Sequence, residues 1–158
     1  MRRLSAIVLI IVAFMVSGCQ SHSTRSAPEV GRASTPEPTL GKSWGFFAQE
    51  GYGTVRPRTI FNGGDPTGQV TAVHWRSWGD QTAVGEGSGV WVPPSNDPSV
   101  GVGSDSEDVP AVVVAFRLGW CGKTYMYRAV EWYFPSKGEK FDALHYIDIC
   151  NGRYVPSP

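Results

Sequence analysis

"VPAVVVAFRLGWCGKTYMYRAVEWYFP", residues 109 to 135, decides the fold class. Two runs of about ten residues, dense in Val, Tyr, Trp and Phe, flank a short "CGK" connection, which is the pattern of an antiparallel hairpin. Successive side chains of a strand point to opposite faces. Val112, Val114, Phe116 and Leu118 therefore share one face of the first run, and Val130, Trp132 and Phe134 share one face of the second. These side chains are the expected core.

Upstream, "TVRPRTIFN" (54–62) is a first candidate strand, with Pro57 confining it to an edge or a bulge. "NGGDPTG" (62–68) then turns the chain, Asp65 opening the turn and Pro66 presetting the next φ. In "QVTAVHWRSWG" (69–79) regular alternation puts Thr71, Val73, Trp75 and Ser77 on one side. Val70, Ala72, His74, Arg76 and Trp78 fall on the other, so the two tryptophans face opposite ways. "DQTAVGEGSGVWVPP" (80–94) follows, and its Gly85, Gly87 and Gly89 leave room on one face for an aromatic ring from a neighbour. Downstream, "PSKGEKFD" (135–142) is a turn, "ALHYIDIC" (143–150) a short strand and "NGRYV" (151–155) a closing turn. No stretch carries a 3.6-residue period. The expectation is an all-β fold, a small antiparallel sandwich or barrel of about six strands with one disulfide.

The N-terminus reads differently. Arg2 and Arg3 precede an apolar run from Ala6 to Val16, and small residues lead to Cys19. This is the three-part plan of an export signal, its apolar run short of the ~18 residues of a membrane span. Residues 16–19, "VSGC", resemble the bacterial lipobox. The resemblance implies a signal peptide over 1–18 and a lipidated Cys19 at the outer face of the cytoplasmic membrane; in an ordinary secretory signal Cys19 would be a bystander. Two or more acyl chains suffice for stable anchoring. Residues 20–43 are rich in Ser, Thr, Pro, Gly and charge without an apolar period, and read as a flexible tether in which His22 is solvated. The β domain is expected over 44–158.

With Cys19 assigned to lipid, Cys121 and Cys150 remain, and an oxidising compartment favours their pairing. Such a bridge closes a loop worth about 3.5 kcal/mol in chain entropy. The alternative, a reactive Cys121 thiol working with His145, needs a reducing environment and leaves Cys150 unexplained. The chain balances fourteen basic against fourteen acidic residues. Removing the signal takes Arg2 and Arg3 away, so the remainder is weakly acidic and carries no electrostatic footprint for nucleic acid.

The succession "FNGGDPTGQVTAVHWRSWG", "AVGEGSG", "VVAFRLGWCGKTYMYRAVEWYFP" and "YIDICNGRY" resembles a group of small secreted proteins and lipoproteins of actinobacteria. The likeness spans residues 59–154. It implies an envelope location and brings no catalytic residues.

Candidate chemistry is sparse. Glu131, Asp142, His145 and Asp148 could supply a carboxylate pair or a His–Asp dyad, but no G-x-S-x-G or H-E-x-x-H spacing is present. Asp105, Glu107 and Asp108 sit in the polar loop "SNDPSVGVGSDSED" (95–108) without EF-hand spacing, which reads as a solvated acidic loop. No metal site or cofactor is expected. Exposed tryptophans of an envelope protein could stack on sugar, and the candidate ligand-binding residues are His74, Arg76 and Trp78, unless a turn near Gly79 folds the Trp78 ring back. The expected function is a non-catalytic binding or scaffolding module, its partners the membrane through the lipid and a cell-wall glycan or another envelope protein. A cell-wall-active enzyme or an enzyme inhibitor is the alternative.

Overall fold

The hairpin read from residues 109 to 135 is the centre of the computed structural model, which describes residues 35–45, 48–93 and 106–156. The signal segment, Cys19 and His22 lie outside the described residues, as does Asp105. Among the described residues eight strands form one curled, mainly antiparallel half-barrel: β1 Thr39–Leu40, β2 Ile60–Phe61, β3 Gln69–Trp75, β4 Ala83–Trp91, β5 Glu107–Cys121, β6 Thr124–Tyr133, β7 Tyr146–Asp148 and β8 Arg153–Val155. Strands β2 to β8 pair in sequence order. Strand β1 lies parallel to the start of β6, with Thr39 opposite Met126. The Cys121–Cys150 disulfide is formed and ties the turn after β7 to the end of β5.

Strand β5 is buried on both faces along Ala111–Phe116, so its unbroken apolar run serves two clusters. Ala111, Val113 and Ala115 face the main core with Val70, Val73, Tyr127, Val130 and Phe134. Val114 and Phe116 face a smaller cluster with Ala129 and Tyr146, against which Val112 packs. This corrects the expected core face. The alternate, smaller set looks into the concave side, where the rings of Tyr127 and Phe134 fill the volume. Leu118 rejoins the main core because the β5–β6 ladder skips Arg117 and Arg128, Arg117 adopting φ 58°.

A second irregularity resets β3. Ala72 adopts φ 52°, and the pairing with β4 shifts by one residue between Thr71 and His74. The extra residue is a β-bulge, and it puts Val70 and Val73 on the same buried side where alternation predicts opposite ones. The glycines of β4 are explained by what lies on them. A Cβ on Gly85 would sit 3.1 Å from the Trp75 ring, and one on Gly89 3.2 Å from the Phe134 ring.

The folded unit starts before Trp44. It spans Thr35–Pro158, and Leu40 is fully buried in the main core, so the expected boundary at 44 moves upstream. The first expected strand shrinks to Ile60–Phe61, because Arg56 takes φ 47° and Pro57 has no N–H to offer a ladder. The Asp65–Pro66 turn is a 3₁₀ turn over Pro66–Gly68, with the Asp65 carboxylate accepting from the Thr67 N–H at 2.9 Å. Glu107 and Asp108 open strand β5 rather than belonging to a loop, and Glu107 pairs with Lys137 at 2.7 Å. Among the described residues no helix is long and apolar enough to cross a membrane.

Candidate functional site

The residues singled out on β3 do not assemble into one exposed edge. His74 and Arg76 are exposed, and Arg76 is ion-paired with Glu86. Trp78 leaves them, because β3 ends at Trp75 and the chain then turns. Its ring packs edge-on against Trp75 at 4.6 Å and against Tyr127 at 5.0 Å, and its Nε1–H donates to the Pro38 carbonyl at 3.1 Å. The two tryptophans thus touch instead of facing opposite ways. Tyr127 fastens the same turn: its hydroxyl accepts from the Gly79 N–H at 2.7 Å and donates to the Asp80 carbonyl at 2.9 Å.

The chemistry gathers at the other end of β6. Strand β7 pairs with β6 at only Ala129–Asp148 and Val130–Ile147, so beyond Val130 the two diverge and a groove opens. Glu131 lies at its floor, 5% exposed, and is the buried charged residue of the described fold. One carboxylate oxygen accepts from the Asp142 N–H at 3.0 Å, and the other meets His145 Nδ1 at 3.3 Å. The far nitrogen of the same imidazole, Nε2, is hydrogen-bonded to the Tyr154 hydroxyl. With Glu131 ionised and able only to accept, the Nδ1–H of His145 donates to it. A buried acid, an imidazole and an exposed hydroxyl therefore stand in line.

Burial pushes the Glu131 carboxyl above its ordinary range, opposed by the Asp142 N–H and by His145. Burial also works to raise Asp148, but hydrogen bonds from Asn151 and from the Cys150 N–H outweigh it and hold that carboxyl below its usual range. Asp148 accordingly organises the turn between β7 and β8 that carries Cys150 and leads to Tyr154. It is a structural acid, as is Asp65, whose pKa is lowered by its hydrogen bonds from the Thr67 side chain and backbone.

Three shallow depressions adjoin here. The central one, about 190 Å³, is lined by Asn62, Glu131, Trp132, His145 and Tyr154. It shares Asn62 and Tyr154 with a second of about 200 Å³ that reaches Trp44 and Arg153. It shares Glu131, Trp132 and His145 with a third of about 240 Å³ that reaches Glu139 and Lys140. Comparison of the chain with protein-family models, with curated proteins and with solved structures finds no match. Among the described residues no group of three or more His, Cys, Asp and Glu gathers to hold a metal ion.

Glu131 and His145 were visible in the sequence as candidate acid–base residues without a geometry. Glu131 carries one local signal, a single acid inside the apolar run "AVEWYF" of a core strand. Asn62, Trp132 and Tyr154 carry none, since each sits in a segment whose local reading is a turn or a core strand.

Proposed function

We propose that the chain is an exported, lipid-anchored module of the cell envelope that binds an extended polar ligand, a cell-wall glycan, along the groove beside Glu131. The observation that carries the binding reading is the row of three adjoining depressions partitioned by Tyr154 and His145. Each is smaller than the ~300–1,000 Å³ of a pocket that engulfs a whole drug-sized ligand, and suits one ring-sized unit. Aromatic walls from Trp44, Trp132 and Tyr154 offer stacking surface, while Asn62, Glu131 and Arg153 offer hydrogen-bonding groups, the combination that sugar rings require. The lipid anchor rests on the lipobox-like "VSGC".

The test is titration of the soluble chain with wall-glycan fragments of increasing length. Affinity is expected to rise until the fragments reach about three rings and to fall about tenfold, ~1.4 kcal/mol, with Tyr154→Ala. Tyr154 is 61% exposed, so its removal leaves the fold intact. Failure of every fragment to bind, or indifference to Tyr154→Ala, would exclude this ligand.

A second reading, a cell-wall-active enzyme, is favoured by the Glu131–His145–Tyr154 line, which has the acid, imidazole and hydroxyl order of nucleophile triads. Turnover of a wall ester or glycan that disappears with Glu131→Gln and with His145→Ala would establish it and overturn the non-catalytic one.

A further inference from the structure

The end of the sheet opposite the groove carries its own chemistry. Trp120 is 56% exposed beside the two-residue turn of the β5–β6 hairpin, directly across the ladder from Tyr125, their rings 5.3 Å apart and tilted. Lys123 is exposed in the turn between them. Most of the large rings among the described residues are buried or packed on the core, so an exposed Trp120 against a half-buried Tyr125 at a hairpin tip stands apart.

The direction of β1 says what lies beside that tip. Because β1 runs parallel to β6 with Thr39 opposite Met126, the residues before Thr39 run back toward the hairpin turn. Pro38 is held there by Trp78, and Glu37 is ion-paired with Arg56 at 2.6 Å, which neutralises the acid nearest the entry. The chain therefore enters the fold at the end that carries Trp120, Lys123 and Tyr125. Cys19 lies sixteen residues before Thr35 in sequence, a reach of at most about 55 Å.

We infer that the hairpin tip is a second membrane contact, Trp120 and Tyr125 entering the headgroup region of the bilayer and Lys123 meeting lipid phosphate. The inference rests on the lipid-anchored reading, in which the chain leads from a lipidated Cys19 into the domain at this end. Trp and Tyr partition to the boundary between headgroups and acyl chains, where the ring is sheltered and the N–H or O–H stays hydrated. Lysine is attracted by the negative surface of anionic lipid. Tethering makes the encounter intramolecular, so a contact too weak to recruit a free protein is still occupied. The Glu131 groove would then be held away from the lipid, since Tyr125 and Glu131 are separated by about 20 Å of strand.

The experiment uses the chain from Cys19 onward, which contains the whole Thr35–Pro158 unit. With Cys121 and Cys150 bonded to each other, Cys19 is its one free thiol and couples to a maleimide lipid in vesicles of phosphatidylcholine with phosphatidylglycerol. Vesicles with brominated acyl chains are expected to quench part of the tryptophan emission. Trp120→Ala is expected to reduce that quenching at least threefold with an unchanged thermal transition, and Lys123→Glu to reduce it only where phosphatidylglycerol is present. Absence of quenching, or equal quenching after Trp120→Ala, would overturn the contact. So would Trp120-dependent retention on wall glycan without quenching, which would reassign the tip to sugar. Chemical coupling makes these outcomes independent of whether cells lipidate Cys19, which is read separately by fractionation.

Discussion

A Cβ on Gly87 would lie 2.5 Å from the Thr71 carbonyl oxygen, and backbone cannot swing aside as a flexible side chain can. Gly87→Ala is expected to cost about 1–3 kcal/mol as forced overpacking, measured by denaturant unfolding. Ala72 poses the reverse case. It holds a left-handed φ that glycine adopts without strain, so Ala72→Gly is expected to leave stability unchanged or raise it by up to ~1 kcal/mol, while Ala72→Val lowers it. Glu131 gives a prediction in pH. Its folded pKa lies above the unfolded one, so ionisation costs stability as pH rises through the interval between the two, and nothing is lost below the unfolded value. Glu131→Gln is neutral throughout and still accepts from the Asp142 N–H. It is expected to melt higher than the native chain at neutral pH, the gap closing on acidification through the carboxylate range; a gap independent of pH would refute the raised pKa. The sequence marks Gly87 and Glu131 as unusual in their strands but not what meets them, and gives Ala72 no mark at all, since each environment depends on which strand lies opposite.

Elements were far more legible than faces. The hairpin, the Asp65–Pro66 turn and the Cys121–Cys150 bridge are encoded by groups within a few residues or by the count of two cysteines beyond Cys19. Reducing the bridge is expected to cost about 3.5 kcal/mol. Its loss should be felt first in β7 and β8, seen as faster amide exchange there than in β5 and β6. Tyr154 sits on β8, so groove affinity should fall with it. The face of β3 escaped the alternation rule because left-handed Ala72 shifts the register beyond it, and that of β5 because both of its faces are buried, the smaller alternate set Ala111, Val113 and Ala115 taking the main core. Tyr127→Phe tests the fastening of the turn that brings Trp78 inward: losing two hydrogen bonds on a buried ring should cost about 1–3 kcal/mol in thermal unfolding.

At the scale of the molecule, the segment before Trp44 does double duty, carrying the route to Cys19 and closing the core with Leu40. Leu40→Ala is expected to destabilise by about 2–5 kcal/mol, as for any fully buried leucine, so a chain starting at Trp44 should unfold more readily than one starting at Thr35. Cys19→Ala is expected to move the protein from the membrane fraction to the soluble one, and unchanged retention would remove the lipid from the functional reading. The sequence by itself determined the strand-rich class, the central hairpin, the partner of each bridged cysteine and the composition break near the N-terminus, because all of these are written in local pattern or in residue counts. Only the tertiary structure decided that the fold begins at Thr35, that Trp78 turns inward and that Asn62, Glu131, His145 and Tyr154 meet. Those facts depend on register, bulges and the divergence of β7 from β6, which join residues far apart in the chain and leave no mark in any one stretch of it.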